Sequence, residues 1–208
     1  MDNAPGHLHQ RPAGTVRPED LYASTPPWDI GRPQPAFLAL AGAGAITGRV
    51  LDAGCGTGEH TLMAAALGLD ATGVDLATNA LHVAEEKARE RGLTARFAPH
   101  DARDLPGLGE LFDTVLDCGL FHLFRGADRA AYVRGVRSVL VPGGRYLMLG
   151  LRDDQPDPRW PHQLGRADIT AAFAEGWRLD TVEPTTMDVT VEPDRVPAWL
   201  VTATRIGA

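Results

Sequence analysis

The chain has 208 residues, 44% of them hydrophobic, which is enough for one domain with a full core. Its net charge is -7 and its basic residues are scattered. The basic stripe of a nucleic-acid footprint is not visible, so nucleic-acid partners are disfavoured. No apolar run approaches the length that spans a bilayer, and residues 1–20 lack the apolar core of a signal peptide. The two cysteines and seven histidines show no metal-ligand spacing. The expectation is therefore a cytoplasmic protein with reduced thiols, no membrane partner and no metal.

In chain order, residues 1–20 are polar and rich in Pro and Gly and read as a mobile arm. From Leu21 to Pro35, Tyr22 and Trp28 stand among Pro26, Pro27, Pro33 and Pro35, which predicts an extended or turned path. The apolar stretch Ala36 to Ala45 suits a helix packed on a sheet. Alternating units follow: a strand near 49–53, a helix over 58–67 stopped by Gly68, and a strand over 71–75. The helix expected over 78–91 carries Leu81, Ala84 and Ala88 on one face and its charges opposite, with Gly92 as its stop. Strands are expected over 95–99 and 113–117, the latter beside the first. Asp128 is expected to cap a helix through Leu140, and Pro142-Gly143-Gly144 to turn into a strand over 145–150. A helix near 167–174 and strands near 178–183 and 198–205 complete the set. Segments 151–166 and 184–197 fit no regular element. They are expected over or beside the carboxyl ends of the strands, where open α/β sheets bind ligands. Such alternation implies an α/β fold, a mostly parallel sheet covered on both faces, with 36–208 as a single domain and 1–35 as an arm and lid.

The segment Val50 to His60 carries the strongest motif: an apolar strand end, Asp52, then Gly54, Gly56 and Gly58 leading into a helix. Strand–glycine loop–helix units hold nucleoside cofactors at a helix start. The dinucleotide fingerprint is Gly-x-Gly-x-x-Gly, whose open amides meet a pyrophosphate. Here the spacing is Gly-x-Gly-x-Gly, and Asp52 would repel a phosphate but suits a cationic ligand, directly or through water. S-adenosylmethionine carries an ammonium and a sulfonium and no phosphate. Asp75 ends a second strand, where an acid binds ribose hydroxyls, and Asp101 follows a third, where it would meet an adenine amino group. Leu76 and Ala102, the residues after these acids, join the expected cofactor contacts.

With these residues in place, the chain resembles a class I S-adenosylmethionine-dependent methyltransferase. The resemblance rests on the Asp52–Gly58 loop, the Gly-Val-Asp at 73–75, Asp101, and the Leu140-Val-Pro-Gly-Gly-Arg145 turn. It implies a Rossmann-like seven-stranded sheet in order 3-2-1-4-5-7-6, the last strand antiparallel. Pro26 to Pro35 and Asp117-Cys-Gly-Leu-Phe-His122 resemble a smaller actinobacterial subgroup that methylates heterocyclic hydroxyls and quinone-like compounds, related to thiopurine methyltransferases. That resemblance implies a small aromatic or heterocyclic substrate and O-methylation in specialised metabolism or detoxification. S- or N-methylation, or a non-catalytic S-adenosylmethionine-binding module, are the alternatives.

Methyl transfer from a sulfonium is an in-line displacement, so the protein chiefly aligns the nucleophile and excludes water. A phenol with a pKa of about 10 is roughly 0.1% ionised at neutral pH, so a base helps it, whereas a thiol near about 8.5 needs little help. His122, five residues past the fourth strand, is the leading base candidate, with Asp117 a second catalytic candidate. His60, inside the first glycine-loop helix, is expected to border the methionyl end. Trp28 is expected near the sulfonium through cation–π attraction. Tyr22, Trp160 and His162 are expected to wall the substrate pocket.

Overall fold

A computed structural model of the protein describes residues 17–153, 160 and 163–207. His162, expected in the pocket wall, lies outside the described residues. In chain order the elements are α1 (Pro35–Gly42), β1 (Arg49–Ala53), α2 (Glu59–Ala66), β2 (Asp70–Asp75), α3 (Thr78–Glu90), β3 (Arg96–Pro99) and β4 (Phe112–Cys118). They continue with α4 (Gly126–Val139), β5 (Leu140–Leu151), α5 (Arg166–Ala172), β6 (Trp177–Asp188) and β7 (Arg195–Arg205). Short 3-10 turns lie at Pro18–Tyr22, Ala102–Leu108 and Phe121–Leu123.

The seven strands form one sheet in order β3-β2-β1-β4-β5-β7-β6. The pairs from β3 through β5 are parallel, and β7 runs antiparallel to both β5 and β6. Successive side chains on a strand point to opposite faces, so each sheet face builds its own core. On one face Val115, Tyr146 and Met148 pack with Tyr132, Val133 and Val136 of α4 and Ile169 of α5. On the other, Leu116, Leu147, Leu149 and Leu151 pack with Phe37 of α1 and Met63 and Ala64 of α2.

Three local expectations are corrected. Segment 184–197 is regular for most of its length: β6 reaches Asp188 and β7 begins at Arg195, a hairpin rising past the end of β5. Pro184 lies within β6, which is the sheet edge, where a missing amide hydrogen is tolerated. The Pro142–Gly144 turn is a bulge inside β5: Phe112 pairs with Leu140, and Thr114 with Arg145. Helix α4 starts at Gly126 with Arg125 at its cap, so Asp128 sits in the first turn, favourable to the helix dipole but not the cap. The end of the expected mobile arm is also structured. Pro18–Tyr22 forms a 3-10 turn, and Asn79 of α3 donates to the Glu19 carbonyl at 3.0 Å.

Candidate active site

The loop after β1 is folded tightly against the end of β2. Gly54 and Cys55 both donate their amides to the Val74 carbonyl, at 2.8 and 2.9 Å. Gly58 has φ +83° and caps α2, and a Cβ there would lie 2.7 Å from Ala84 and 2.9 Å from the Phe97 ring. Gly56 has φ +52°, and a Cβ there would lie 2.6 Å from the Tyr22 hydroxyl. Only glycine meets both constraints, because the left-handed backbone and the close approach each exclude a side chain.

The three strand-end acids behave differently. Asp75 is half-buried and tethers the loop: Oδ2 accepts from the Gly56 amide at 2.9 Å and Oδ1 from Ala77 at 2.8 Å. Each oxygen keeps a second lone pair, so the carboxylate fits a ribose diol. Asp52 is buried, and Oδ2 accepts from the Thr61 amide and hydroxyl at 2.9 and 2.7 Å. Burial pushes its pKa up to about 7, against the opposing Thr61 bonds, with Asp117 and Asp75 adding to the rise. A cationic ligand nearby would favour its charged form. Asp101 caps the 3-10 turn that begins at Ala102 and is ion-paired to Arg103, which holds its carboxyl below the ordinary range. The β3 end adjoins the β2 end, since His100 donates its amide to the Asp75 carbonyl at 3.1 Å. Leu76 is exposed at 39%, and Ala102 is buried.

Above the loop runs a strap, residues 22–34. Tyr22 lies on Gly56, and burial with Asp75 nearby raises its phenol pKa. Asp29 accepts from the Thr57 hydroxyl at 2.8 Å, Lys87 donates to the same Thr57 oxygen, and Lys87 and Arg91 both pair with Glu59. Burial raises the Glu59 pKa, but those two cations outweigh it and hold the group charged. The far end of the strap is clasped by the hairpin. The Gln34 side chain exchanges two hydrogen bonds with the Asp188 backbone, at 2.9 and 2.8 Å, Arg32 pairs with the Asp188 carboxylate, and Thr190 donates its amide to the Pro27 carbonyl. Sequence reasoning missed Asp29, Gln34, Thr57, Lys87 and Asp188. Lys87 carried a signal, being the single lysine against 19 arginines.

His60, expected to border the methionyl end, anchors the strap in the structure. Its Nε2 accepts the Gln34 amide at 3.1 Å, and its ring lies 4.6 Å from that of Phe37. Burial lowers its pKa to about 4, so the imidazole is neutral and serves as an acceptor.

Asp117, the second catalytic candidate, has a different setting. Its carboxylate is fully buried and accepts from the Tyr132 and Tyr146 hydroxyls at 2.7 and 2.6 Å, and from the Leu120 and Phe121 amides. With those four donors it fixes the turn after β4. That turn carries His122, itself buried, whose Nδ1 faces the Leu151 amide at 3.5 Å, the long limit of a hydrogen bond. Leu120 of the same turn abuts the glycine loop, since a Cβ on Gly54 would lie 3.0 Å from it. The glycine loop therefore lies beneath Tyr22, with Asp75 tethered to it, the end of β3 adjoining Asp75, and Leu120 of the His122 turn against Gly54. Cys55 and Cys118 are free thiols whose pKa values burial raises well above the usual range, so neither is a ready nucleophile.

Residues 50–144 match a family model described as a methyltransferase domain. The 2-heptyl-1-hydroxyquinolin-4(1H)-one methyltransferase of Mycobacteroides abscessus is 35% identical over 170 residues, 80% of this chain and 74% of that protein. The ubiquinone biosynthesis O-methyltransferase of Cereibacter sphaeroides is 40% identical over 129 residues, 62% of this chain, which spans about half (49%) of that relative's length. Among solved structures, one described by the conversion of a disulfide bond into a thioacetal group during echinomycin biosynthesis superimposes with TM-score 0.80 and 40% identity. It covers 91% of this chain and 89% of that one. A glycine cradle that admits no Cβ, an acid with free lone pairs at the second strand end and a buried acid suited to a cation fit S-adenosylmethionine. With the relatedness across most of its length, the chain belongs to the class I S-adenosylmethionine-dependent methyltransferases.

Proposed function

We propose that this methyltransferase acts on a hydroxyl group of a small aromatic or heterocyclic compound, in specialised metabolism or detoxification. The observation that carries this reading is the relatedness to the hydroxyquinolinone methyltransferase over 80% of the chain, which reaches beyond the cofactor half into the strands and loops around His122. Bound S-adenosylmethionine supplies a methyl already activated on a sulfonium. The chain's own part is to hold it, orient the acceptor and exclude water. In this reading Asp75, Asp101, Leu76, Ala102 and the glycine loop hold the cofactor, Asp52 answers its positive charge, and Tyr22 and Trp28 close over it as a lid. His122 takes the proton from the acceptor hydroxyl, and Asp117 with its two tyrosines positions the His122 turn. A cytoplasmic location suits two free cysteines, one of them buried in the cofactor loop. No helix among the described residues is long and apolar enough to cross a membrane.

S-methylation is the second reading, favoured by the 40% identity to the thioacetal-forming protein. The two are separated by His122→Gln, assayed on a hydroxylated and a thiolated acceptor of the same ring system. Loss of general-base help should cut O-methylation by about 10²–10⁴-fold and leave thiol methylation within a few-fold. Equal rates on both acceptors would remove His122 as the base, and turnover of the thiol alone would remove the hydroxyl reading.

A further inference from the structure

A relay of charged and polar groups ties the strap to the glycine loop. Glu59, at the start of α2, has a buried carboxylate that holds two cations. Arg91, the residue that follows α3, meets both of its oxygens, at 2.8 and 2.9 Å, which already answers the single negative charge. Lys87 of α3 lies 2.9 Å from the same carboxylate, with only 19% of its side chain exposed. It is a second cation on one anion, so these three groups carry one positive charge in excess. A largely buried charge is costly unless an opposite one lies close by. That opposite charge is on the strap. Lys87 Nζ donates to Thr57 Oγ1 at 2.8 Å, and the Thr57 hydroxyl donates to Asp29 Oδ2 at 2.8 Å.

The direction of the relay follows from the chemistry of its members. An ammonium has donors only, so Lys87 occupies a lone pair of the Thr57 oxygen and leaves the one hydroxyl proton to be given elsewhere. Lys87 thereby aims that proton at Asp29. Asp29 is held in turn by the strap itself, since Gly31 donates its amide to Oδ1 at 3.2 Å and the Asp29 amide donates to the Pro26 carbonyl at 3.0 Å. Thr57 stands between Gly56, over which the Tyr22 hydroxyl lies, and Gly58, which caps α2. Among the described residues, Thr57 to Asp29 is the one hydrogen bond between strap and glycine loop.

We infer that Lys87 and Thr57 are positioning residues: through Asp29 they latch the strap to the glycine loop and set how long S-adenosylhomocysteine stays bound. The inference rests on the reading above in which Tyr22 closes over the cofactor as a lid. Its test is stopped-flow dissociation of S-adenosylhomocysteine from the full chain and its variants. Thr57→Val keeps the side-chain shape and deletes the hydroxyl. It should speed release by about tenfold or more, the span for losing a hydrogen bond to a charged group. Thr57→Ser, which restores the hydroxyl, should release as slowly as wild type. Lys87→Met keeps the aliphatic stem, deletes the ammonium and should also speed release. Asp29→Ala should release fast, and adding Thr57→Val to it should change nothing more, because the bond is already gone. Independent, multiplying effects of those two changes would overturn the latch, since Thr57 would then act on the loop without the strap. Release as slow as wild type in Thr57→Val would overturn it too. The Asp29 and Thr57 variants decide the matter even where Lys87→Met folds poorly. Tyr22→Ala separates the latch from the lid: fast release there with slow release in Thr57→Val sinks the latch alone, and slow release in both sinks the lid as well.

Discussion

Asp75 does two jobs with one carboxylate: it tethers the glycine loop through the Gly56 amide and presents its remaining lone pairs to the cofactor site. Asp75→Ala should therefore weaken S-adenosylmethionine binding by about 1.5–3 kcal/mol, the range for a charge-assisted hydrogen bond, or roughly tenfold to 150-fold in Kd. Unchanged affinity in titration calorimetry would contradict the ribose assignment. Gly56→Val should remove binding altogether, because the new side chain meets Tyr22 in a left-handed backbone. Equilibrium dialysis showing wild-type affinity would mean that the loop faces away from the ligand. At this scale the acids were legible in the sequence, since each follows an apolar run, but their roles were not. Asp117 reads like its neighbours until the fold delivers two tyrosine hydroxyls from 15 and 29 positions away. Likewise, His60 stood beside the cofactor motif, yet its acceptor nitrogen is taken by an amide 26 positions upstream.

Among the elements, the β6–β7 hairpin governs the strap. Gln34 is buried and spans 154 positions to Asp188, replacing a missing strand neighbour with its own amide group. Gln34→Ala leaves the Asp188 backbone groups unpaired at that point and should lower stability by about 1–3 kcal/mol. Because the strap also bears Asp29 and Tyr22 on the glycine loop, the same variant should speed release of S-adenosylhomocysteine. Stopped-flow dissociation as slow as in wild type, together with a lowered unfolding midpoint, would reduce the clasp to a purely structural feature. Strand and helix positions through β4 were readable because each unit announces itself by an apolar run and a glycine stop. The hairpin was not, because Pro184 and a polar, acidic tip obscure it, and only the edge position explains how the proline is tolerated.

For the molecule as a whole, two buried groups at the site give opposite pH dependences. Asp52 titrates near about 7 in the folded chain, above its unfolded value, so its neutral form contributes stability that is full below about 4 and is lost as pH rises through about 7. His60 has its pKa lowered to about 4, so the stability it contributes is present above about 6.5 and is lost as pH falls towards about 4. Across that window the two trends oppose each other, and removing one should expose the other. Asp52→Asn should raise the unfolding free energy at pH 8 by on the order of 2 kcal/mol relative to wild type, with the gain shrinking towards pH 4.5, while weakening cofactor binding. A pH-independent difference in thermal or denaturant unfolding would show that Asp52 is ionised in the folded protein throughout. The strand order itself came from family resemblance, because periodicity marks strands without saying which neighbours pair.

The most direct test incubates the purified protein with S-adenosylmethionine and a panel of hydroxylated, thiolated and amino heteroaromatics, then follows S-adenosylhomocysteine and locates the new methyl by mass spectrometry and NMR. Stoichiometric S-adenosylhomocysteine with the methyl on a ring hydroxyl oxygen is the predicted result. Transfer only to sulfur or nitrogen across the panel would contradict it.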